Sequence, residues 1–160
     1  MKPRNNLEDR VEKIGFAFNV KRDPSKDERP DKYAEFDDPE TIEAIISSIA
    51  SLGYKVVPLE ADEDFIERIK EYKPDFVFNL AEGINGECRE SHIPAILEML
   101  GIPYSGSGVL SQALTLIKSK KKEVLDFYEI PTPSFQLFKS AGQNLHPSLN
   151  FPLIVKPNAD

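Results

Sequence analysis

The apolar positions of the chain alternate between two rhythms. KIGFAFNV, Lys13 to Val20, is a short run without helical spacing and predicts a strand. A polar stretch follows, KRDPSKDERPDKYAEFD, too charged and too rich in proline to form an element. Asp38 then offers a helix N-cap with Pro39 at the first helical position. Ile42, Ile45, Ile46 and Ile49 recur on one helical face, and Gly53 is the stop. KVVPL, Lys55 to Leu59, predicts a second strand, and Asp62 caps a short helix with Phe65, Ile66 and Ile69 on one side. DFVFN, Asp75 to Asn79, reads as a short buried strand, followed by the glycine loop LAEGINGE. The next helix ends in ILEML with Gly101 as its stop, and Pro94 places its start near Ser91.

Strand, helix, strand, helix, strand with short connections predicts a parallel sheet flanked by helices, an α/β fold of the Rossmann-like, doubly wound kind, over residues 13–104. In such sheets ligands sit beyond the carboxyl ends of the strands. The loops after Val20 and after Asn79 lie at that edge, so Glu35 on one and Glu82 and Glu87 on the other are expected to meet over one crevice.

After Tyr104 the pattern changes. SGSG, Ser105 to Gly108, reads as a hinge. Val109 to Ile117 predicts a helix with Leu110, Ala113, Leu114 and Ile117 on one face, and KSKKKEVLDFYE a basic helix with Val124, Leu125 and Tyr128 inward. IPTP marks a turn, SFQLF (Ser134 to Phe138) a strand, and 141–150 a polar loop. FPLIV closes the pattern as a buried strand of Leu153, Ile154 and Val155, with Lys156 at its end. Residues 105–160 are thus expected to begin a second, smaller unit.

Composition narrows the function. With 160 residues, 40% of them hydrophobic and 29% charged, the chain is an ordinary globular one. Its net charge of -7 argues against a nucleic-acid partner, and an anion site would have to be local. No run reaches the roughly 18 apolar residues of a membrane span, so no membrane partner is expected. MKPRNNLEDRVEKIG has no apolar leader, and Cys88 is the single cysteine; a cytoplasmic location without an internal disulfide is expected. Cys88 reads as a helix-start residue, and neither His92 nor His146 has a partner at metal-ligand spacing.

Four features carry candidate chemistry. In LAEGINGE, Gly83 and Gly86 let backbone approach a ligand, while Glu82 and Glu87 can hold an ammonium group; the plainer reading is a turn with solvated carboxylates. In GIPYSGSG, Gly106, Ser107 and Gly108 precede a helix whose free N–H groups suit an anion; the plainer reading is a hinge with Ser107 as N-cap. Lys118, Lys120, Lys121 and Lys122 form either a phosphate site or a solvated helix face. Lys156 is either a positioned point charge for phosphate or a lysine snorkelling from a strand end.

These pieces occur in one order and at close spacing: NLAEGINGE, ILEMLGIPYSGSGVLSQAL, Lys118, IPTPSF and FPLIVKP. From about Asp75 to Pro157 the chain resembles the D-alanine–D-alanine ligase group of ATP-grasp enzymes, with LGIPYSGSGVLSQAL the strongest stretch. The resemblance implies an N-terminal α/β (pre-ATP-grasp) domain at 13–104 and the start of an ATP-binding subdomain at 105–160. It implies an enzyme that uses ATP and magnesium to join a carboxylate to an amine through an acyl phosphate. Lys118 and Lys156 fall at lysines that contact nucleotide phosphates, and Glu35 at a glutamate that binds the amino group of the first substrate. Glu82 and Gly83 fall where the group has His-Gly, and Glu87 at the acidic residue of the glycine loop.

Three departures leave the amino-acid-like substrate open: Ile117 stands for the usual aspartate, Glu82 for a histidine, and the first strand lacks a Gly-Gly turn. The magnesium carboxylates and adenine pocket are expected beyond Asp160, so the chain reads as an N-terminal portion, inactive alone. The alternative is a non-catalytic module binding a small amino-acid-like molecule, or half of a two-chain enzyme. The resemblance also implies a possible homodimer through the N-terminal domain.

Overall fold

A computed structural model describes residues 11–159. Three parallel strands form the sheet: β1 (Lys13–Phe18), β2 (Lys55–Glu60) and β3 (Phe76–Asn79), in the order β2-β1-β3. The register aligns Lys13 with Lys55 on one side of β1 and Ile14 with Phe76 on the other. Parallel neighbours require crossovers, supplied by α1 (Pro39–Ser51) and α2 (Phe65–Tyr72). The Asp75 carboxylate accepts from the backbone N–H groups of Glu12 and Lys13 and so ties the starts of β1 and β3 together.

Successive residues of β1 face opposite sides of the sheet, and both sides are covered. Phe16 and Phe18 pack with Ile42 of α1 on one face. Ala17, Leu59 and Val77 pack with Phe65 and Ile69 of α2 and with Ile93 and Leu97 on the other. The predicted parallel sheet flanked by helices is the fold observed.

Local signals are shifted by a residue or two. The side chain of Asp38 makes no capping bond and instead faces Lys21 at 3.5 Å. The N-cap of α2 is Asp64; Asp62 turns back to accept the Asp64 N–H at 2.9 Å and pairs with Arg68. A 3-10 turn at Arg89–Ser91 runs into α3 (His92–Leu100), which puts Pro94 in the first helical turn, where its missing N–H costs nothing. Gly53 and Gly101 follow α1 and α3 at positive φ.

Beyond α3 the chain makes α4 (Val109–Leu116) and α5 (Lys118–Phe127). Ser105, expected to begin a hinge, is held: its N–H donates to the Val77 carbonyl at 2.9 Å, and its Oγ accepts from Asn79 N at 2.9 Å. Leu110 and Tyr128, expected inward, are exposed. Neither Ser134–Phe138 nor Phe151–Val155 is a strand. Ile154 and Val155 are 84% and 91% exposed, which corrects the buried-strand reading. The physical reason is pairing: among the described residues no strand lies beside these segments, and an extended segment becomes a half-buried strand only where a neighbour pairs with at least one of its edges. Among the described residues no helix is long and apolar enough to cross a membrane.

Candidate functional site

The carboxyl ends of all three strands converge on Asn19, one residue past β1. Its side chain is buried among backbone groups. Nδ2 donates to the Ala61 carbonyl at 2.9 Å, and Oδ1 accepts from the N–H groups of Glu82 at 2.9 Å and Gly83 at 3.0 Å. Its own carbonyl accepts the Asp37 N–H at 3.0 Å. Asn79 plays a smaller version of this part at the end of β3, accepting the Ala81 N–H at 3.2 Å.

Over these ends lies a cavity of about 1100 Å³. Its walls come from the charged loop at 29–36, from the acidic turn after β2 and from Gly83–Gly86. Lys118 and Lys156 also line it. The two loops expected to share a crevice are joined by an ion pair between Arg89 and Glu35. A second pair, Arg22 with Glu60, ties the charged loop to β2. Inside the loop, Glu28 accepts from Lys32 and from the Ser25 N–H, and these bonds hold its carboxyl down at about 2.

The sequence candidates are placed unequally. Glu35, Gly83, Lys118 and Lys156 line the one cavity. Glu87 is an exposed residue of the glycine loop and is not among the lining residues. Glu82 sits behind the lining, half-buried. Burial pushes its carboxyl up to about 7, with repulsion from Glu90, Glu35 and Asp37 adding to the shift and Arg89 opposing it. Gly83 is required by its surroundings: φ is +74, and a Cβ there would stand 2.4 Å from the Arg89 carbonyl oxygen. The N-terminus of α4 at Gly108 lies outside this cavity.

The C-terminal segment reaches the cavity by docking on α5. The Lys118 and Ser119 N–H groups donate to the backbone and side-chain oxygens of Asn158 at 2.8 and 2.9 Å, and Ile117 bridges Ala159. Asn158 therefore satisfies the open N-terminus of α5, which no preceding side chain caps. That contact brings Lys156 into the same cavity as Lys118 despite the irregular chain between them.

Two residues escaped the sequence reading. Arg89 was one charge among many. Asn19 had a signal: β1 and β3 both end in a Phe-x-Phe-Asn sequence, Phe16 to Asn19 and Phe76 to Asn79. An amide at the end of two buried strands is a buried polar group in need of partners.

Fold and site together define an α/β protein with a ligand crevice at the carboxyl edge of a parallel sheet. Comparison with known proteins sharpens that class. No protein-family model matches the chain. It is 38% identical over 116 residues to a D-alanine–D-alanine ligase B of Pseudomonas putida, covering 71% of this chain and 36% of that protein. A D-alanine–D-alanine ligase of Moorella thermoacetica is 37% identical over 98 residues, covering 61% of this chain and 31% of that protein. Among solved structures, the D-alanine–D-alanine ligase of Bacillus anthracis complexed with ATP superposes with a TM-score of 0.61 at 30% identity, covering 93% of this chain and 48% of that one. The chain is a homologue of the D-alanine–D-alanine ligases and corresponds to their N-terminal portion. It spans about a third of the length of the curated relatives it matches.

Proposed function

We propose that this chain is the part of an ATP-dependent carboxylate–amine ligase of the ATP-grasp type that holds the amino-acid substrate and contributes two lysines to the nucleotide phosphates. One observation carries the reading: Lys118 and Lys156, far apart in sequence, line the same cavity as Glu35 and Gly83. Two lysines lining one cavity of an acidic protein suit a polyphosphate, whose charge their ammonium groups would offset. A solved relative that superposes on this chain was crystallised as a complex with ATP, which supports the assignment.

Within this reading ATP supplies the phosphoryl group that activates a carboxylate. The lysines orient and neutralise phosphate. Glu35, half-exposed at the crevice and held by Arg89, faces the amino group of the substrate, and the Glu82–Gly83 turn lets substrate approach the backbone. Magnesium does not fit these residues: among the described residues no group of three or more His, Cys, Asp or Glu side chains could hold a metal ion, and no step is assigned to it. Because the chain spans about a third of its relatives' length, we assign it no complete reaction of its own.

The test is titration of the chain with an ATP analogue followed by calorimetry. Lys118→Ala and Lys156→Ala are each expected to weaken binding about tenfold or more, the loss of one charge-assisted contact. Unchanged affinity in both variants, or no nucleotide binding by the parent chain, overturns the assignment.

A further inference from the structure

We propose that Asn19 is a positioning residue of the crevice: its buried side chain sets where the Glu82–Gly83 peptide sits, and its own carbonyl sets where the Glu35 loop returns to the sheet. The proposal deepens the ligase reading, since it concerns the loop assigned there to substrate. Its test reads no ligase activity, so the two fail separately.

The geometry is that of a hub. At 3% exposure Asn19 has no water to fall back on, and its four bonds join three different parts of the crevice. Nδ2 reaches Ala61 beyond β2, Oδ1 reaches Glu82 and Gly83 beyond β3, and the backbone carbonyl reaches Asp37 at the end of the charged loop. An amide is the side chain that suits this place, because it donates on one side and accepts on the other. A carboxylate would keep the two N–H bonds but lose the donor to Ala61. A hydroxyl is too short to span both sides.

Two consecutive N–H groups bound to one oxygen fix the Glu82–Gly83 peptide plane, and that plane fixes the start of the Glu82 side chain. The carboxyl is thereby held half-buried, within the fields of Glu90 and Arg89 from the turn before α3 and of Glu35 and Asp37 from the charged loop. Its titration reports its position. If the peptide is released, the carboxyl can turn to water and its midpoint falls from about 7 towards the ordinary 4.5.

The experiment follows the Glu82 side-chain carboxyl carbon by NMR across pH in the 160-residue chain. Asn19→Ser is expected to lower the Glu82 midpoint by about one unit or more. Asn19→Asp is expected to leave it at or above the parent value, because the oxygen that accepts both N–H groups is retained and a negative charge is added nearby. Ile69→Ala, a buried change on α2 far along the chain, is expected to destabilise the fold without moving it. The proposal is overturned if Asn19→Ser leaves the midpoint unchanged, if Ile69→Ala shifts it equally, or if the parent carboxyl already titrates near 4.5. Should Asn19→Ser not fold, hydrogen exchange in the parent decides: the Glu82 and Gly83 amides, both bound to Asn19 Oδ1, are expected to be protected, and rapid exchange at both overturns the proposal.

Discussion

Two apolar segments of the same chain meet opposite fates. KVVPLE, at 55–60, becomes β2, with Val57 and Leu59 buried and Leu59 in one cluster with Ala17 of β1 and Phe65 and Ile69 of α2. PLIVKP, at 152–157, is as rich in branched aliphatic residues, yet Ile154 and Val155 stand in solvent. The difference is the neighbour. β2 lies beside β1, which pairs one of its edges, and its inward residues Val57 and Leu59 are buried. Among the described residues the later segment is anchored at its end, where Asn158 meets the start of α5. Strand propensity is a preference for a half-buried pleated surface, and it is expressed only where that surface exists.

The comparison breaks first at its buried end. Phe16 is fully buried in the central strand and packs on Phe18 and Phe78. Phe16→Ala is expected to destabilise the chain by about 3–5 kcal/mol in urea unfolding, from lost transfer energy plus the cavity left behind. A cost below about 1 kcal/mol would show that the sheet region is not the packed one and would remove the contrast.

These limits explain what could be read from the sequence. The order of elements through Leu100 was legible because each carried its own punctuation: Pro39 to start, Gly53 and Gly101 to stop, and runs of matching period between. The meeting of the charged and glycine loops was legible too, since parallel topology puts both at one edge. Burial after Tyr104 was not legible, because it depends on partners that a propensity does not name. Leu110 has a helical spacing and Ile154 a strand composition, yet both are exposed, and among the described residues no strand pairs with the segment around Ile154. Within the site, charge and glycine marked Glu35, Gly83, Lys118 and Lys156, which do share a cavity. Asn19 went unread because its importance lies in three bonds to distant backbone, which only the fold brings within reach.

A smaller effect sharpens the comparison at the crevice, where burial is partial. Glu82 has a carboxyl raised to about 7 from the ordinary 4.5, so the folded state holds a proton there that the unfolded state gives up earlier. Its contribution to stability is therefore fully present below pH 4.5 and is lost as pH rises to about 7. Glu82→Gln, which keeps the shape without the charge, is expected to match the parent below pH 4.5 and to be more stable above pH 7. The gain is expected to be about 1 kcal/mol after screening of a partly exposed group. Urea midpoints across pH measure it. A gain that is the same at every pH would mean that the carboxyl is not held in the crevice.

The smallest effect is expected at the exposed end. Ile154→Ser removes a side chain already in water, so there is almost no transfer energy to lose and no cavity to leave. Its cost in the 160-residue chain is expected to stay within about 0.5 kcal/mol, against several for Phe16→Ala. The contrast also carries information about function. Lys156 lines the cavity through the Asn158 contact and not through burial of Ile154, so the serine variant should bind the ATP analogue as the parent does. A stability loss above about 1 kcal/mol, or weakened nucleotide binding, would show that the 153–155 segment is packed after all, and that apolar content rather than pairing decides which segments are buried.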